Sequence, residues 1–367
     1  MISKEEIDHV LSEYDPKKVK IGTVCSHSAL QIFYGARQEG FKTLGICLKG
    51  RRFVYEAFPL AKPDEFLLVD DFKEILDSKA QNMMIGDNVI IIPHGSFVEY
   101  IGSEALRERF HVPMFGNRTT LEWEGDRAKQ RKWLKTAGLK LPKEYTDPSE
   151  IDGRVFVKFS GAKGGKGFFT ADSEKEYHKK LTERVKMGLI RGEDSLKATI
   201  QDFIPGVRYY SHYFYSLFMK LGLKVDEGTL ELLSMDKRIE PIDESYRGLP
   251  KVPEEFYDYT VTGNQPVIVR ESFLPEILEM GSRTIDASIN LFHPGMLGAF
   301  SLETIYQPGR GFIVFEISAR IVAGTNLYPE GSPYSFYTFK EPMSTGRRIA
   351  REIKQAIERN SLERIVF

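Results

Sequence analysis

Arg154–Asp172 reads RVFVKFSGAKGGKGFFTAD, two short apolar and aromatic runs around a loop of four glycines and two lysines. The runs have the bulk and alternation of strands, and the loop has the composition of a turn, so the stretch predicts a β-hairpin. Glycines from Gly161 to Gly167 let backbone approach a ligand closely, and Lys163 and Lys166 add positive charge. Lys158 ends the first strand just before this loop, where its ammonium can meet phosphate oxygens. The loop is not a Walker A motif, because Gly167 rather than a hydroxyl residue follows Lys166, and it does not satisfy GxGxxG. Taken alone, a basic glycine-rich hairpin is as readily a surface turn as a phosphate site.

Three later features tilt that balance. Gln201, Asp202, Phe203 and Ile204 form an extended segment that can offer backbone groups to a planar base. Glu303, in SLETIY, and Glu316, in FEIS, lie on successive predicted strands joined by a QPGRG turn, so a hairpin brings the two carboxylates side by side. Paired hard carboxylates beside phosphate oxygens suit Mg²⁺. Arg320 lies four residues past Glu316, placed to stabilise charge on a transferred phosphoryl group. Either glutamate alone reads as an ordinary solvated strand residue.

Outward from this centre, KVKIGTVCSHSAL, TLGICLKG and VIIIPHGSF read as strands running into polar turns, with a helical pattern between the first two and VPMFGN as a short closing strand. Such βαβ units predict a parallel sheet with ligand groups at the strand carboxyl ends. Leu121 to Gly138 predicts a helix stopped by Gly138 and Pro142. RYYSHYFYS, TLELLSMDKR, PVIVRES, GAFSLETIY and GFIVFEISAR predict further strands, and Met343 to Glu358 a terminal helix. His27 and His94 are by default hydrogen-bonded core histidines, and alternation points His94 away from whatever Ser96 faces.

At 367 residues the chain is too long for one ordinary core, and 41% hydrophobic with 28% charged residues is the composition of a folded, soluble protein. Lys plus Arg (51) balances Asp plus Glu (52), which removes the global field that nucleic acid or an anionic membrane would need. Cys25 and Cys47, the two cysteines, sit in apolar runs and read as reduced thiols of a cytoplasmic protein. The start, MISKEEIDHVLSEYD, lacks the features of a signal peptide, and no apolar run nears the roughly 20 residues of a membrane span.

From about Leu121 onward the chain resembles the ATP-grasp superfamily. DRAKQRKWLKTAGLKLP resembles its opening helix, VFVKFSGAKGGKG its lysine strand and phosphate loop, QDFI its adenine hinge, and SLET with FEISAR its metal-binding hairpin. Ser318 stands where that hairpin usually carries asparagine, and Arg127 where many members carry lysine. A closer resemblance covers nearly the whole chain. SHSAL, IPHGSF, VPMFGNR, LLSMDKR, TGNQPVIVRES, FEISAR, GTN and PYS resemble the archaeal formate-dependent family that makes 5-formaminoimidazole-4-carboxamide ribonucleotide (FAICAR) in purine biosynthesis. Typical members carry an acidic residue near Val322.

The resemblance implies an α/β plus α+β architecture. A Rossmann-like parallel-sheet domain over residues 1–120 binds substrate, and an ATP-grasp domain over 121–367 carries a small lid at about 140–205. It implies a ligase that phosphorylates formate with ATP and passes the formyl group to the amine of 5-aminoimidazole-4-carboxamide ribonucleotide (AICAR). ATP would be held by Arg127, Lys158, Lys163, Lys166, Gln201, Asp202, Phe203, Ile204 and Glu231, and Mg²⁺ or Mn²⁺ by Glu303 and Glu316. His27, Ser28, Ser96, Asn264, Thr325 and Asn326 would hold the ribotide, with Arg320 and Lys158 catalytic. A homo-oligomer, a hexamer among its forms, is also implied, with neither nucleic acid nor membrane as partner. Two other readings stay open: a paralogous carboxylate-amine ligase with another acceptor, and a non-catalytic adenine-nucleotide sensor.

Overall fold

Three sheets organise the described residues, each announced by its own residue pattern. The computed structural model describes residues 2–159, 168–190, 198–241 and 260–367. Lys163, Lys166 and the rest of Gly161–Gly167 therefore lie outside the described residues.

Apolar, β-branched runs make the first sheet. Strands β1 (Lys20–Val24), β2 (Lys42–Leu48), β3 (Glu65–Val69) and β4 (Val89–Ile91) are parallel, in the order β3-β2-β1-β4. Parallel pairing puts the carboxyl ends of β1 and β4 at one edge, and there the chain carries His27–Ser28 and His94–Ser96. VPMFGN does not form the expected closing strand. It contributes single bridges instead, Met114 to Ile91 on one side and Phe115 and Gly116 to Val366 on the other.

The second sheet, in the order β5-β8-β6-β7, is antiparallel: β5 (Glu144–Tyr145), β6 (Val155–Lys158), β7 (Phe169–Ala171) and β8 (Thr199–Asp202). Val155 pairs with Ala171 and Val157 with Phe169, so the opening motif is a hairpin. Its small core of Val155, Val157, Phe169, Tyr177 and Ile200 is separate from the cores of the other sheets.

The third sheet has six antiparallel strands: β9 (Val207–Ser216), β10 (Leu223–Val225), β11 (Gly228–Ile239), β12 (Gly263–Pro266), β13 (Gly298–Gln307) and β14 (Gly311–Ser318). One face carries Tyr213, Leu232, Leu302 and Ile317 and is covered by the helices Arg127–Thr136 and Leu274–Leu291, with Trp133 Nε1 donating to Thr284 O at 2.8 Å. The other face is apolar at Phe214, Leu233 and Ala299, where the first sheet and the helix Thr345–Glu358 pack, and more polar beyond. PVIVRES is not a strand past Pro266, since β12 ends there. The helix expected from Leu121 to Gly138 breaks at Asp126, whose extended backbone and side chain cap a new helix by accepting from Ala128 N and Lys129 N.

The helix Thr345–Glu358 returns to lie on the helix Ala29–Gln38 and so ties the chain's end to its first sheet. The two touch backbone to backbone. A Cβ at Gly346 would stand 2.3 Å from Gln31 O, and one at Gly35 2.1 Å from Arg347 N. Among the described residues no helix is long and apolar enough to cross a membrane. Gly346→Ala should therefore lower unfolding stability by about 1–3 kcal/mol in a urea titration, the usual cost of overpacking, and an unchanged midpoint would contradict this packing.

Candidate active site

The polar face of the third sheet follows from strand alternation. Tyr210 on β9, Arg238 on β11, Glu303 on β13 and Glu316 on β14 share it, because Glu303 pairs directly with both Tyr210 and Glu316. Arg238 Nη2 donates to Glu303 Oε1 at 2.8 Å, and its guanidinium lies 4.0 Å from the Tyr210 ring centre. Arg127, at the first position of its helix, places Nη1 3.5 Å from Glu316 Oε2.

The charges in this group shape one another. Burial pushes the Glu303 carboxyl up, Arg238 offsets part of that, and the neighbouring Glu316 adds to it. At Glu316 burial is outweighed by Arg127, Lys158 and Arg238, which hold its carboxyl below the ordinary value. Burial brings the Lys158 ammonium down to about 8 against the opposing pull of Glu316. Lys158 and the two glutamates thus face one electrostatic centre, although they come from different sheets.

A cleft of about 390 Å³, open to solvent, runs from this centre between the second and third sheets. Arg127, Arg131, Glu144, Lys158, Gln201 and Phe315 are among the residues lining it. Of the expected hinge, Gln201 reaches this cleft. Asp202 instead accepts from the Tyr145 hydroxyl at 2.9 Å, Phe203 is exposed, and Ile204 is buried.

The carboxyl edge of the first sheet comes near the same charged centre through Arg320 and Arg238. His27 takes a left-handed backbone (φ 52°), its Nδ1 lies 2.7 Å from Ser28 Oγ, and its ring stacks on His94 at 5.2 Å. His94 is fully buried, with Nε2 3.0 Å from Val24 O and Nδ1 accepting from Ser96 N, so it orders the turn instead of meeting a ligand. His27 is exposed at the surface, yet the atoms crowded against its ring, the neighbouring His94 and the positive charge of Arg320 and Arg238 hold it well below the ordinary histidine value. Gly95 permits this crowding, since a Cβ there would stand 3.0 Å from His27 Nε2 and 3.2 Å from Arg320 Cζ. Arg320 in turn is held by Glu124, 2.9 Å away.

Three expected ligands have other uses. Glu231 lies on the same sheet face as Glu303 but farther along β11, under the helix Thr345–Glu358. There Arg348 grips it at 2.8 and 2.9 Å, and neither side chain has any exposed surface with which to meet a nucleotide. Thr325 is buried and its hydroxyl donates to Val322 O at 2.6 Å, while Asn326 donates to His27 O at 3.0 Å and accepts from Gln31 at 2.8 Å. These two bind the His27 turn to the segment after β14. Arg238, Glu124 and Asp236 were not singled out from sequence, although alternation along TLELLSMDKR places Asp236 and Arg238 on the face of Tyr210.

The residues fit a hard cation in one place. Glu303 and Glu316 are adjacent and mutually repelling, and Ser318 Oγ donates to Glu303 Oε1 at 3.2 Å. Among the described residues no group of three or more His, Cys, Asp or Glu is arranged for a metal. Two carboxylates suit a cation that completes its shell with phosphate oxygens and water.

Comparison with known proteins connects this geometry to a family. Family profiles described as "Protein of unknown function (DUF1246)" and "Domain of unknown function (DUF1297)" match residues 21–145 and 176–367. A protein of Korarchaeum cryptofilum (strain OPF8) named 5-formaminoimidazole-4-carboxamide-1-(beta)-D-ribofuranosyl 5'-monophosphate synthetase is 54% identical, and the match covers 100% of both chains. This chain belongs to that synthetase family. The crystal structure of an IMP biosynthesis protein PurP from Thermococcus kodakaraensis is 30% identical, with a TM-score of 0.71 over 95% of this chain and 100% of that one. A biotin carboxylase of Campylobacter jejuni, at 11% identity and a TM-score of 0.60, covers 92% of this chain and 71% of its own. That second likeness is one of fold, so the synthetase has the ATP-grasp architecture.

Within the synthetase, Glu231 serves the core. Glu231→Gln should cost on the order of 3 kcal/mol of stability, as loss of one partner of a buried ion pair does, and should leave nucleotide affinity of the folded protein unchanged. A weakened nucleotide affinity at unchanged stability would reverse that assignment.

Proposed function

We propose that this chain is an ATP- and formate-dependent ligase that converts AICAR to FAICAR in the synthesis of IMP. The observation that carries the reading is the convergence of Lys158 and Arg127 on the Glu303–Glu316 pair, with Arg320 acting on Glu303 and on His27, in a chain matched end to end by named FAICAR synthetases.

Formate's carboxylate is a poor electrophile because oxide would have to leave. An oxygen of formate attacks the γ-phosphorus of ATP, ADP departs, and formyl phosphate results. The AICAR amine then attacks the formyl carbon, phosphate leaves with the electron pair of the C–O bond, and the nitrogen gives up a proton. Formyl phosphate must be kept from water between the two steps, which requires nucleotide and ribotide to fill the open cleft.

Each residue then has a task. Lys158 and Arg127 meet the triphosphate, joined by Lys163 and Lys166, while Gln201 and the backbone of Asp202, Phe203 and Ile204 border the adenine. Glu303 and Glu316 would hold Mg²⁺ or Mn²⁺, which would screen negative charge on the nucleotide's phosphates. Arg320, held by Glu124, stabilises the transferring phosphoryl group. His27, Ser28, Ser96 and Asn264 hold the ribotide, whose phosphate monoester suits the helix start at Ser28, where no side chain caps the backbone. Residues 1–120 thus carry the ribotide and 121–367 the nucleotide, with about 140–205 as a lid. We place the enzyme in the cytoplasm, as a homo-oligomer for which a hexamer is one form.

Incubation with ATP, Mg²⁺, formate and AICAR should release ADP in a formate-dependent manner. ADP formed only with another acid or amine would indicate a different ligase, and nucleotide binding without turnover would indicate a sensor. Glu316→Gln should lower turnover at least a hundredfold while AICAR binding persists, and full activity would remove the metal assignment.

Lys158 gives a pH signature. With its ammonium near 8 in the free protein, the charged form that phosphate requires dominates at pH 7 and is lost as pH rises. ATP affinity should therefore fall about tenfold between pH 7 and pH 9. Lys158→Arg should flatten that profile, and a dependence unchanged in the variant would show that another group produces it.

A further inference from the structure

Asp236 sits in the middle of β11 with no exposed surface, and nothing in the scheme above uses it. Both of its oxygens are engaged. Oδ1 lies 2.8 Å from His212 Nε2, and Oδ2 accepts from Asn264 Nδ2 at 2.6 Å. Burial pushes this carboxyl up, but His212, Asn264 and Arg238 together hold it below the ordinary value, so it is an ionised acceptor.

An ionised carboxylate has no proton to donate, which settles the orientation of both neighbours. His212 must carry its proton on Nε2, and Asn264 must turn its nitrogen inward. The carbonyl oxygen of Asn264 then points the other way, where it meets no partner among the described residues. Asn264 lies directly across from Arg238 in the β11–β12 pairing, beside the guanidinium that holds Glu303, so its side chain stands at the rim of the reaction centre.

The arrangement is tightly backed. His212 is flanked across the strands by Ser234 and Ser301, and all three are buried. On the remaining side Gly324 leaves no room for the carboxylate to swing, since a Cβ there would stand 2.2 Å from Asp236 Oδ1.

We propose that Asp236 and His212 are positioning residues that hold Asn264 with its carbonyl oxygen toward the reaction centre, so that the site selects an acceptor presenting N–H donors. The amino and carboxamide groups of AICAR are such donors. An unconstrained amide would present its own NH₂ part of the time, donor against donor. The inference rests on the ligase reading and adds to it the residues that set acceptor recognition.

A double-mutant cycle tests it on the full-length enzyme with AICAR, formate and ATP. Asp236→Ala should lower kcat/KM for AICAR roughly ten- to hundredfold, the range set by one mispaired polar group, and leave the KM for ATP within about twofold. In an Asn264→Ala background the same replacement should change kcat/KM for AICAR less than about twofold, because the group it acts through is gone. Gly324→Ala displaces the carboxylate without deleting it and should show the same dependence on Asn264, which keeps the test available if Asp236→Ala does not fold.

Losses that multiply across the two backgrounds would overturn the proposal. So would an Asn264→Ala enzyme with unchanged AICAR kinetics, even if formate-dependent ADP release by the parent were intact. Absence of that release in the parent would instead count against the ligase reading.

Discussion

Two carboxylates fixed side by side on a hairpin repel one another, and much of the polar face of the third sheet answers that repulsion. Arg238 neutralises Glu303, Arg127 and Lys158 neutralise Glu316, and Ser318 contributes a hydrogen bond. The cations come from three separate parts of the chain: a helix start, the end of a hairpin strand and the end of a long strand. The pair can persist in the folded protein only if those parts are brought together, so the electrostatics of the site and the assembly of the sheets are one problem.

The fold solves it by giving each sheet a separate core and letting their polar margins meet. The second sheet packs its apolar side chains internally and presents Lys158 and Gln201 to the cleft. The third sheet covers one face with helices and leaves half of the other polar. The first sheet docks on the apolar end of that face through the helix Thr345–Glu358, which brings the strand-end turns of His27 and Ser96 beside Arg320. Gly95 and Gly324 matter because they let charged groups approach more closely than a Cβ would allow.

What the sequence revealed is local. The QPGRG turn between two alternating strands is enough to set Glu303 against Glu316, and the glycine-rich loop between RVFVKF and FFTAD is enough to predict the β6–β7 pairing. Alternation does not separate His94 from Ser96, because residues two apart share a strand face; both are buried, and Ser96 N donates to His94 Nδ1. Where sequence reading failed, the deciding contact was distant. Glu231 has the same face and residue type as a ligand, yet a helix more than a hundred residues later covers it with Arg348. Thr325 and Asn326 sit in a motif that looks like a substrate loop, but Val322, Gln31 and the His27 backbone take up their polar atoms. Alternation gave Asp236 its face but not its role, because the value of a buried carboxylate depends on neighbours from β9, β12 and the turn after β14.

The most direct test of the central arrangement is anomalous diffraction from a crystal of the protein with Mn²⁺ and a non-hydrolysable ATP analogue. The account requires the manganese peak between the Glu303 and Glu316 carboxylates, with Lys158 against the analogue's phosphates. A metal bound away from that pair, or an analogue whose phosphates lie outside the space between Lys158 and the hairpin, would contradict it.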